Sequence, residues 1–207
     1  MSCTQTARVA GVVLAAGASS RFGSLKQTLA WGEQNFVNAV LRTARLAGLD
    51  PLILVLGNQA ELIKKTLTER NVRIVNNPDW KQGQSSSLKA ALSSLEVEVS
   101  GAIFLLTDQP QISVNFIAAI AEAGIRTGKA VIPYINDQRC SPVFFPSQCF
   151  DKFLNLEGDQ GGRQILGDCP HTLLPWLDEW MARDVDTPED YRQLCQHFGM
   201  PFPANVV

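Results

Sequence analysis

The residues of this chain best suited to chemistry are two cations and two carboxylates, Arg21, Lys26, Asp108 and Asp186, each placed just beyond a short apolar run or just before a helix start. The apolar run Val9–Ala15 gives way at Gly17 to a small, polar loop that carries Arg21 and Lys26. The spacing fits neither a Walker A loop nor a Gly-x-Gly-x-x-Gly fingerprint. Small side chains at Ala15, Ala16 and Gly17, after Leu14, let a backbone approach a ligand closely. Backbone N–H groups and the hydroxyls of Ser19 or Ser20 can donate to base or phosphate oxygens. Arg21 can fork two oxygens, and Lys26 supplies a point charge. A glycine-rich turn with solvated cations is the plain alternative. The strand end beside it points instead to phosphate binding.

Asp108 closes the run Leu105-Leu106-Thr107-Asp108-Gln109-Pro110. In an open α/β sheet, ligands bind outside the carboxyl ends of the strands, so Asp108 is expected on the edge that carries the opening loop. One carboxylate plus triphosphate oxygens suits magnesium, which keeps waters and needs few protein ligands. Asp108 can equally cap the turn that follows. Asp186, in Asp184-Val185-Asp186-Thr187-Pro188, is either an acid favoured near a helix start or a second ligand to the same magnesium. The second role requires the fold to bring the two segments together. Two further stretches could complete a site. In Gln82-Gly83-Gln84-Ser85-Ser86-Ser87-Leu88-Lys89, the serines can cap a helix or, with Asn76 and Asn77, hydrogen-bond a base or ribose. In Gly158-Asp159-Gln160-Gly161-Gly162-Arg163, adjacent glycines allow close approach. Arg163 either meets an anionic acceptor or belongs to a surface turn before a helix over Gln164–Leu166.

Positioning these groups takes a sheet. Short apolar runs at Val9–Ala15, Leu52–Leu56, Val72–Val75, Ala102–Leu106, Ala130–Pro133, Pro142–Phe145 and Thr172–Leu174 read as strands buried on both faces. Helical stripes lie between them: Phe36, Val37, Val40, Leu41 and Ala44; Leu62, Ile63 and Leu67; Leu88, Ala91, Leu92 and Leu95; Phe116, Ile117, Ile120 and Ala121. This alternation predicts an α/β fold with a mostly parallel central sheet and helices on both faces. Thr187-Pro188-Glu189-Asp190 marks the start of the last helix.

With 207 residues, 45% hydrophobic and 18% charged, the chain suits a single globular domain over 1–207, its core at about 9–195. A net charge of −2 excludes bulk attraction to nucleic acid. Five scattered cysteines without a Cys-x-x-Cys pair suit reduced thiols in a cytoplasmic protein. His171 and His197 lack metal-ligand spacing. No apolar run has signal or membrane-span length.

Five elements in this order resemble the molybdenum-cofactor nucleotidyltransferases: Leu-Ala-Ala-Gly-x-Ser-x-Arg-Phe-Gly-x-x-Lys at 14–26, Gln-Gly-x-Ser-Ser-Ser-Leu at 82–88, Thr-Asp-Gln-Pro at 107–110, Gly-Asp-Gln-Gly-Gly-Arg at 158–163 and Asp-Val-Asp-Thr-Pro-Glu-Asp-Tyr at 184–191. The likeness is greatest to the molybdopterin cytidylyltransferase branch. The resemblance implies a Rossmann-like nucleotidyltransferase domain that moves CMP from CTP to the terminal phosphate of molybdopterin and releases pyrophosphate. It implies Mg2+ held by Asp108 and Asp186. Nucleotide contacts fall at Leu14, Ala15, Ala16, Gly17, Arg21, Lys26, Asn76, Ser86, Ser87 and Asp108, with Arg21, Lys26 and Asp108 catalytic. Acceptor contacts fall at Pro142 and Arg163. CTP and molybdopterin are then the partners, with a molybdoenzyme as recipient of the product and neither nucleic acid nor membrane involved. Guanylyl-transferring relatives typically carry Ala-Gly-Gly where this chain has Ala15-Ala16-Gly17, so Ala16 is of the cytidylyl type. Cys140-Ser141-Pro142 replaces the more usual Gly-Asn-Pro or Gly-His-Pro in the region that would face the acceptor. The alternatives are a guanylyltransferase, a transferase activating another phosphorylated metabolite, or a non-catalytic nucleotide-binding chaperone of the cofactor.

Overall fold

A computed structural model describes residues 7–17, 22, 25–96 and 98–203. Ser19, Ser20 and Arg21 of the opening loop, and Cys3, lie outside the described residues. In chain order the elements are β1 (Val9–Ala15), a hairpin of β2 (Ala30–Trp31) and β3 (Gln34–Asn35), α1 (Phe36–Leu46), β4 (Leu52–Leu56), α2 (Ala60–Thr66), β5 (Val72–Asn76), α3 (Gln84–Ser93), β6 (Gly101–Leu106), α4 (Val114–Thr127), β7 (Ala130–Ile135), β8 (Gln138–Arg139), β9 (Val143–Pro146), β10 (His171–Pro175) and α5 (Pro188–Phe198). The main sheet runs β5-β4-β1-β6-β9-β7-β10, with β8 paired to β7.

β1 shows why so apolar a run must be central. Val9, Val13 and Ala15 pack on one side with α1 and α4. Ala10, Val12, Leu14 and Ala16 pack on the other with α3. Successive side chains point to opposite faces, so both faces must be apolar. β1 pairs in parallel with β4 on one side and β6 on the other. Chain order reverses between these neighbours, which makes the crevice above β1 the topological switch point.

All seven apolar runs form strands, with differences in burial and direction. β5 and β10 are the sheet edges, and both are only partly buried. β9 runs antiparallel to β6 and β7. Its reversal starts at a two-residue turn, Asn136-Asp137, where both residues have positive φ (48° and 60°) and Ile135 pairs with Gln138. That geometry matches the twist of a tight hairpin.

The stripes of α1 and α4 are buried as expected, but Leu62 on α2 is 51% exposed. The Gly162–Ile165 stretch is a single 3-10 turn rather than an α-helix. The serines do not cap α3. Its N-cap is Gly83 at φ 99°, with no side-chain cap bond, and Ser85 to Ser87 already lie inside the first turns. α5 starts as expected. Thr187 Oγ1 accepts from Asp190 N (3.2 Å), and Asp190 Oδ2 accepts from Thr187 N (2.7 Å) and Asp186 N (3.1 Å). This capping box fixes the backbone of Asp186.

A third apolar cluster ties α5 to the segment after β1. Phe22, Leu29, Phe36, Val185, Tyr191, Leu194 and Cys195 are buried together, and Phe36 meets Tyr191 edge-on with centroids 5.3 Å apart. Cys140, Cys149, Cys169 and Cys195 are free and buried. Burial, with Cys149 alongside, pushes the Cys169 thiol up to about 12, which leaves it unreactive. Among the described residues, no helix is long and apolar enough to cross a membrane.

Candidate active site

The strand register puts the candidate residues on one edge. Leu14 pairs with Leu106 and Ala15 with Leu56, so Ala16-Gly17, Gly57 and Thr107-Asp108 leave the sheet side by side. Above them lies a cleft of about 450 Å³ lined by Leu14, Ala16, Gly17, Lys26, Gln27, Trp80, Lys81, Gly83, Gln84, Ser87, Leu106, Thr107, Asp108, Asp159 and Asp186. Among the described residues, a side chain at Gly17 would meet nothing within 4 Å, which leaves that face open to a ligand. Gln27, itself buried, holds the turn by donating to Ala15 O (3.3 Å) and Gly17 O (3.1 Å).

Lys26 is the centre of the charged end. Its Nζ lies 3.3 Å from Asp108 Oδ2, 3.1 Å from Asp186 Oδ1 and 2.7 Å from Val185 O. Val185 N donates to Asp108 O (2.9 Å), so the 184–186 segment is pinned to the end of β6. The fold thus brings Asp108 and Asp186 together around one cation. Burial raises the pKa of Asp108, and the Lys26 ammonium only partly opposes it. Asp184 is pushed up to about 6, first by burial of its carboxyl and then by the Asp108 charge. Although this residue shows surface to solvent, its carboxyl turns inward and accepts from the buried Gln109 Nε2 at 2.8 Å.

Asp108 Oδ1 is buried without a hydrogen-bond partner among the described residues. An orphaned carboxylate oxygen beside a second carboxylate fits a divalent cation, which prefers hard oxygen donors. Among the described residues, no group of three or more His, Cys, Asp or Glu is arranged to hold a metal ion alone. Asp108 and Asp186 would therefore share such an ion with ligand oxygens and water.

The two glycine-bearing motifs at 82–88 and 158–163 form one wall, which the sequence reading treats as separate turns. A Cβ on Gly83 would stand 2.3 Å from Gly158 C and O, and one on Gly161 would stand 2.6 Å from Gln84 Oε1. Ser85 N donates to Gly158 O (3.1 Å). Beyond this wall a second cavity of about 300 Å³ continues the cleft. Leu14, Gln84, Leu106 and Asp159 are shared by both. The second has an apolar floor of Leu88, Phe104, Val143 and Phe145, with Ser141, Arg163 and Asp184 at its rim.

Of the expected nucleotide contacts, Leu14, Ala16, Gly17, Lys26, Ser87 and Asp108 line the cleft. Ala15 is buried in the core beneath it. Asn76 is exposed at the end of β5 and does not line it. Asn77 is buried instead and donates to Ser86 Oγ (2.8 Å) and Ser87 Oγ (3.0 Å). Ser86, whose Oγ also donates to Gly83 O (2.8 Å), does not line the cleft. Arg163 lines the second cavity, while at Pro142 its neighbours Ser141 and Val143 do so. Trp80 and Gln27 line the cleft without having been singled out from sequence. Trp80 was legible only as an aromatic residue between Asn77 and Gly83.

A family model for the MobA-like NTP transferase domain matches residues 11–173. The chain belongs to the MobA-like NTP transferase family. It is 26% identical to the molybdenum cofactor cytidylyltransferase of Escherichia coli (strain K12), over 87% of this chain and 92% of that protein. It is 25% identical to a probable molybdenum cofactor guanylyltransferase of Bacillus mycoides (strain KBAB4), over 90% and 95%. Among solved structures, Rv0371c from Mycobacterium tuberculosis H37Rv superposes with a TM-score of 0.82 at 31% identity, covering 92% of this chain and 98% of that one. The same mycobacterial protein has been crystallised as a complex with manganese, with a TM-score of 0.78 and 30% identity. The chain is thus a MobA-like nucleotidyltransferase, and its Rossmann-like α/β fold is that of its structural relatives.

Proposed function

We propose that this MobA-like transferase moves CMP from CTP to the terminal phosphate of molybdopterin in a magnesium-dependent reaction. The observation that carries the reading is the Lys26 ammonium held between Asp108 and Asp186 at the switch point, beside the open backbone of Gly17. The cytidylyl choice rests on Ala16, which lines the cleft with its side chain packed inside, and on the likeness to the Escherichia coli cytidylyltransferase.

The reaction forms a bond from an acceptor phosphate oxygen to the α-phosphorus of CTP. It breaks the bond from that phosphorus to the β-phosphate bridge, and pyrophosphate leaves. The nucleophile is already ionised, so no side-chain base is required. The chain contributes positioning and charge neutralisation. The Gly17 backbone cradles the phosphates, and Lys26, with Arg21, meets the charge that develops on the leaving group. Asp108 and Asp186 would hold a divalent ion, which would supply charge neutralisation when bound. Arg163 and the apolar floor of Phe104, Val143 and Phe145 receive the acceptor, placing its phosphate at the junction of the two cavities.

The test is turnover with molybdopterin as acceptor and CTP or GTP as donor. CTP is expected to give pyrophosphate release at least about tenfold faster, the order set by one or two well-placed contacts. Lys26→Ala is expected to abolish it. Preference for GTP would make the chain a guanylyltransferase, and full activity of Lys26→Ala would remove the proposed phosphate site.

A further inference from the structure

The polar groups of the cleft are divided across β1. Lys26, Asp108 and Asp186 gather where β6 ends, whereas Trp80 stands over Gly57, where β4 ends on the other side of β1. The two ends are separated by about two strand spacings, roughly 10 Å. A nucleotide whose phosphates sit at Lys26 has this end of the cleft within reach of its base. What lines the cleft there is Trp80, Gln84 and Ser87, with Lys81 Nζ 5.7 Å from the Trp80 ring centroid. Of the four tryptophans, Trp80 alone lines the cleft; Trp176 and Trp180 pack on the core near α4, and Trp31 packs near α5.

The seat of Trp80 is unusually close. A Cβ on Gly57 would stand 2.5 Å from Trp80 Cβ, 2.7 Å from its Cγ and 2.9 Å from Ala16 Cβ. The Ala16 methyl and the Trp80 stem therefore sit on the same patch of Gly57 backbone.

We infer that Trp80 is the stacking platform for the nucleobase and that Ala16 acts on base choice as a positioning residue, through the placement of the indole on Gly57. The inference rests on the proposed reaction only for the phosphate end of the nucleotide. Flat heterocycles stack on aromatic faces without regard to sequence. The platform therefore supplies affinity for any base, and the position of the ring sets which size fits.

Trp80 fluorescence and calorimetry test this in the intact protein with magnesium. CTP is expected to quench the wild-type emission, and Trp80→Phe to lose that quench. Trp80→Ala is expected to weaken CTP binding about tenfold or more, the order seen when a stacking aromatic is removed. Trp80→Phe, which keeps a smaller aromatic ring, is expected to lose less affinity. Inorganic tripolyphosphate should bind Trp80→Ala and wild type alike, because it has no base to stack. Equal CTP affinity in wild type and Trp80→Ala would overturn the inference. So would equal losses for CTP and tripolyphosphate, because that pattern marks a merely structural tryptophan. If GTP rather than CTP gives the Trp80-dependent quench, the cytidylyl assignment fails while the platform stands.

Discussion

Asp108 carries a conflict that a purely structural residue would not be given. Among the described residues its Oδ1 is buried without a partner, and burial raises its pKa more than Lys26 lowers it. At neutral pH, above that raised pKa's unfolded reference, an ionised carboxylate of this kind is worth less in the folded chain than in the unfolded one. The site therefore spends stability on a charge that phosphate chemistry needs. Asp108→Asn keeps the shape and removes the charge. Turnover is expected to fall by about 10²–10³, the order for losing one charge-stabilising group. The melting temperature in metal-free buffer is expected to stay level or rise. Pyrophosphate release and thermal melts of the same preparation check both. A sharp drop in melting temperature would instead make Asp108 a structural anchor for Lys26. In the sequence this residue was legible as the acid ending an apolar run. Its pairing with Asp186 was one of two readings there, and deciding between them took the pinning of Val185 N to Asp108 O, residues 77 apart in the chain.

At the scale of elements, β9 decides the shape of the second cavity. Val143 and Phe145 face that cavity, so the alternation of a strand sends Phe144 to the other side. There its ring fills the space left by two glycines. A Cβ on Gly124 of α4 would stand 2.4 Å from Phe144 Cδ1, and one on Gly101 of β6 would stand 2.4 Å from Phe144 Cζ. Gly→Ala inside a helix ordinarily stabilises by about 0.5–1 kcal/mol. At Gly124 the added methyl must push a fully buried ring, and overpacking of this kind costs about 1–3 kcal/mol. Gly124→Ala is therefore expected to lower stability, and Phe144→Leu in the same chain to recover part of the loss; urea denaturation measures both. A stabilised Gly124→Ala would show that α4 can slide on the sheet. The existence of β9 was plain from its apolar run. Its reversed direction was not, since Val-Phe-Phe buried on both faces reads alike in either sense. The readable signal was Asn136-Asp137, a pair tolerant of positive φ, standing between Ile135 and Gln138.

At the scale of the whole molecule, one crevice collects loops that are far apart in the chain. The opening segment is gripped by the cluster of Phe22, Phe36 and Tyr191 with α5, the end of β6 by Val185, and the 82–88 turn by Gly158. Alternating strands and helices made the sheet and its binding edge legible. The interlocking of the two glycine turns and the α5 cluster were hidden, because both arise from contacts between segments widely separated in sequence. Lys26 already stands between the carboxylates, so a divalent ion added alone must displace an ammonium and gains little. On the proposed function, CTP added alone would bring its phosphates towards Asp108 and Asp186, whose charge would repel them. Under the proposed reaction, Asp108 and Asp186 would hold the ion, which would neutralise phosphate charge, and Lys26 would be released to meet the phosphates. The expected pattern is a small shift in melting temperature with MgCl2 or CTP singly and a large one with both. At about 100 times Kd, binding adds about 2.7 kcal/mol, or about 5–10 °C for a domain of this length. Differential scanning fluorimetry of the four conditions, repeated with GTP, ATP and UTP, reads the coupling and the base preference at once. Equal shifts with and without the ion would place the metal outside the nucleotide site and leave Lys26 as the principal counter-charge for the triphosphate.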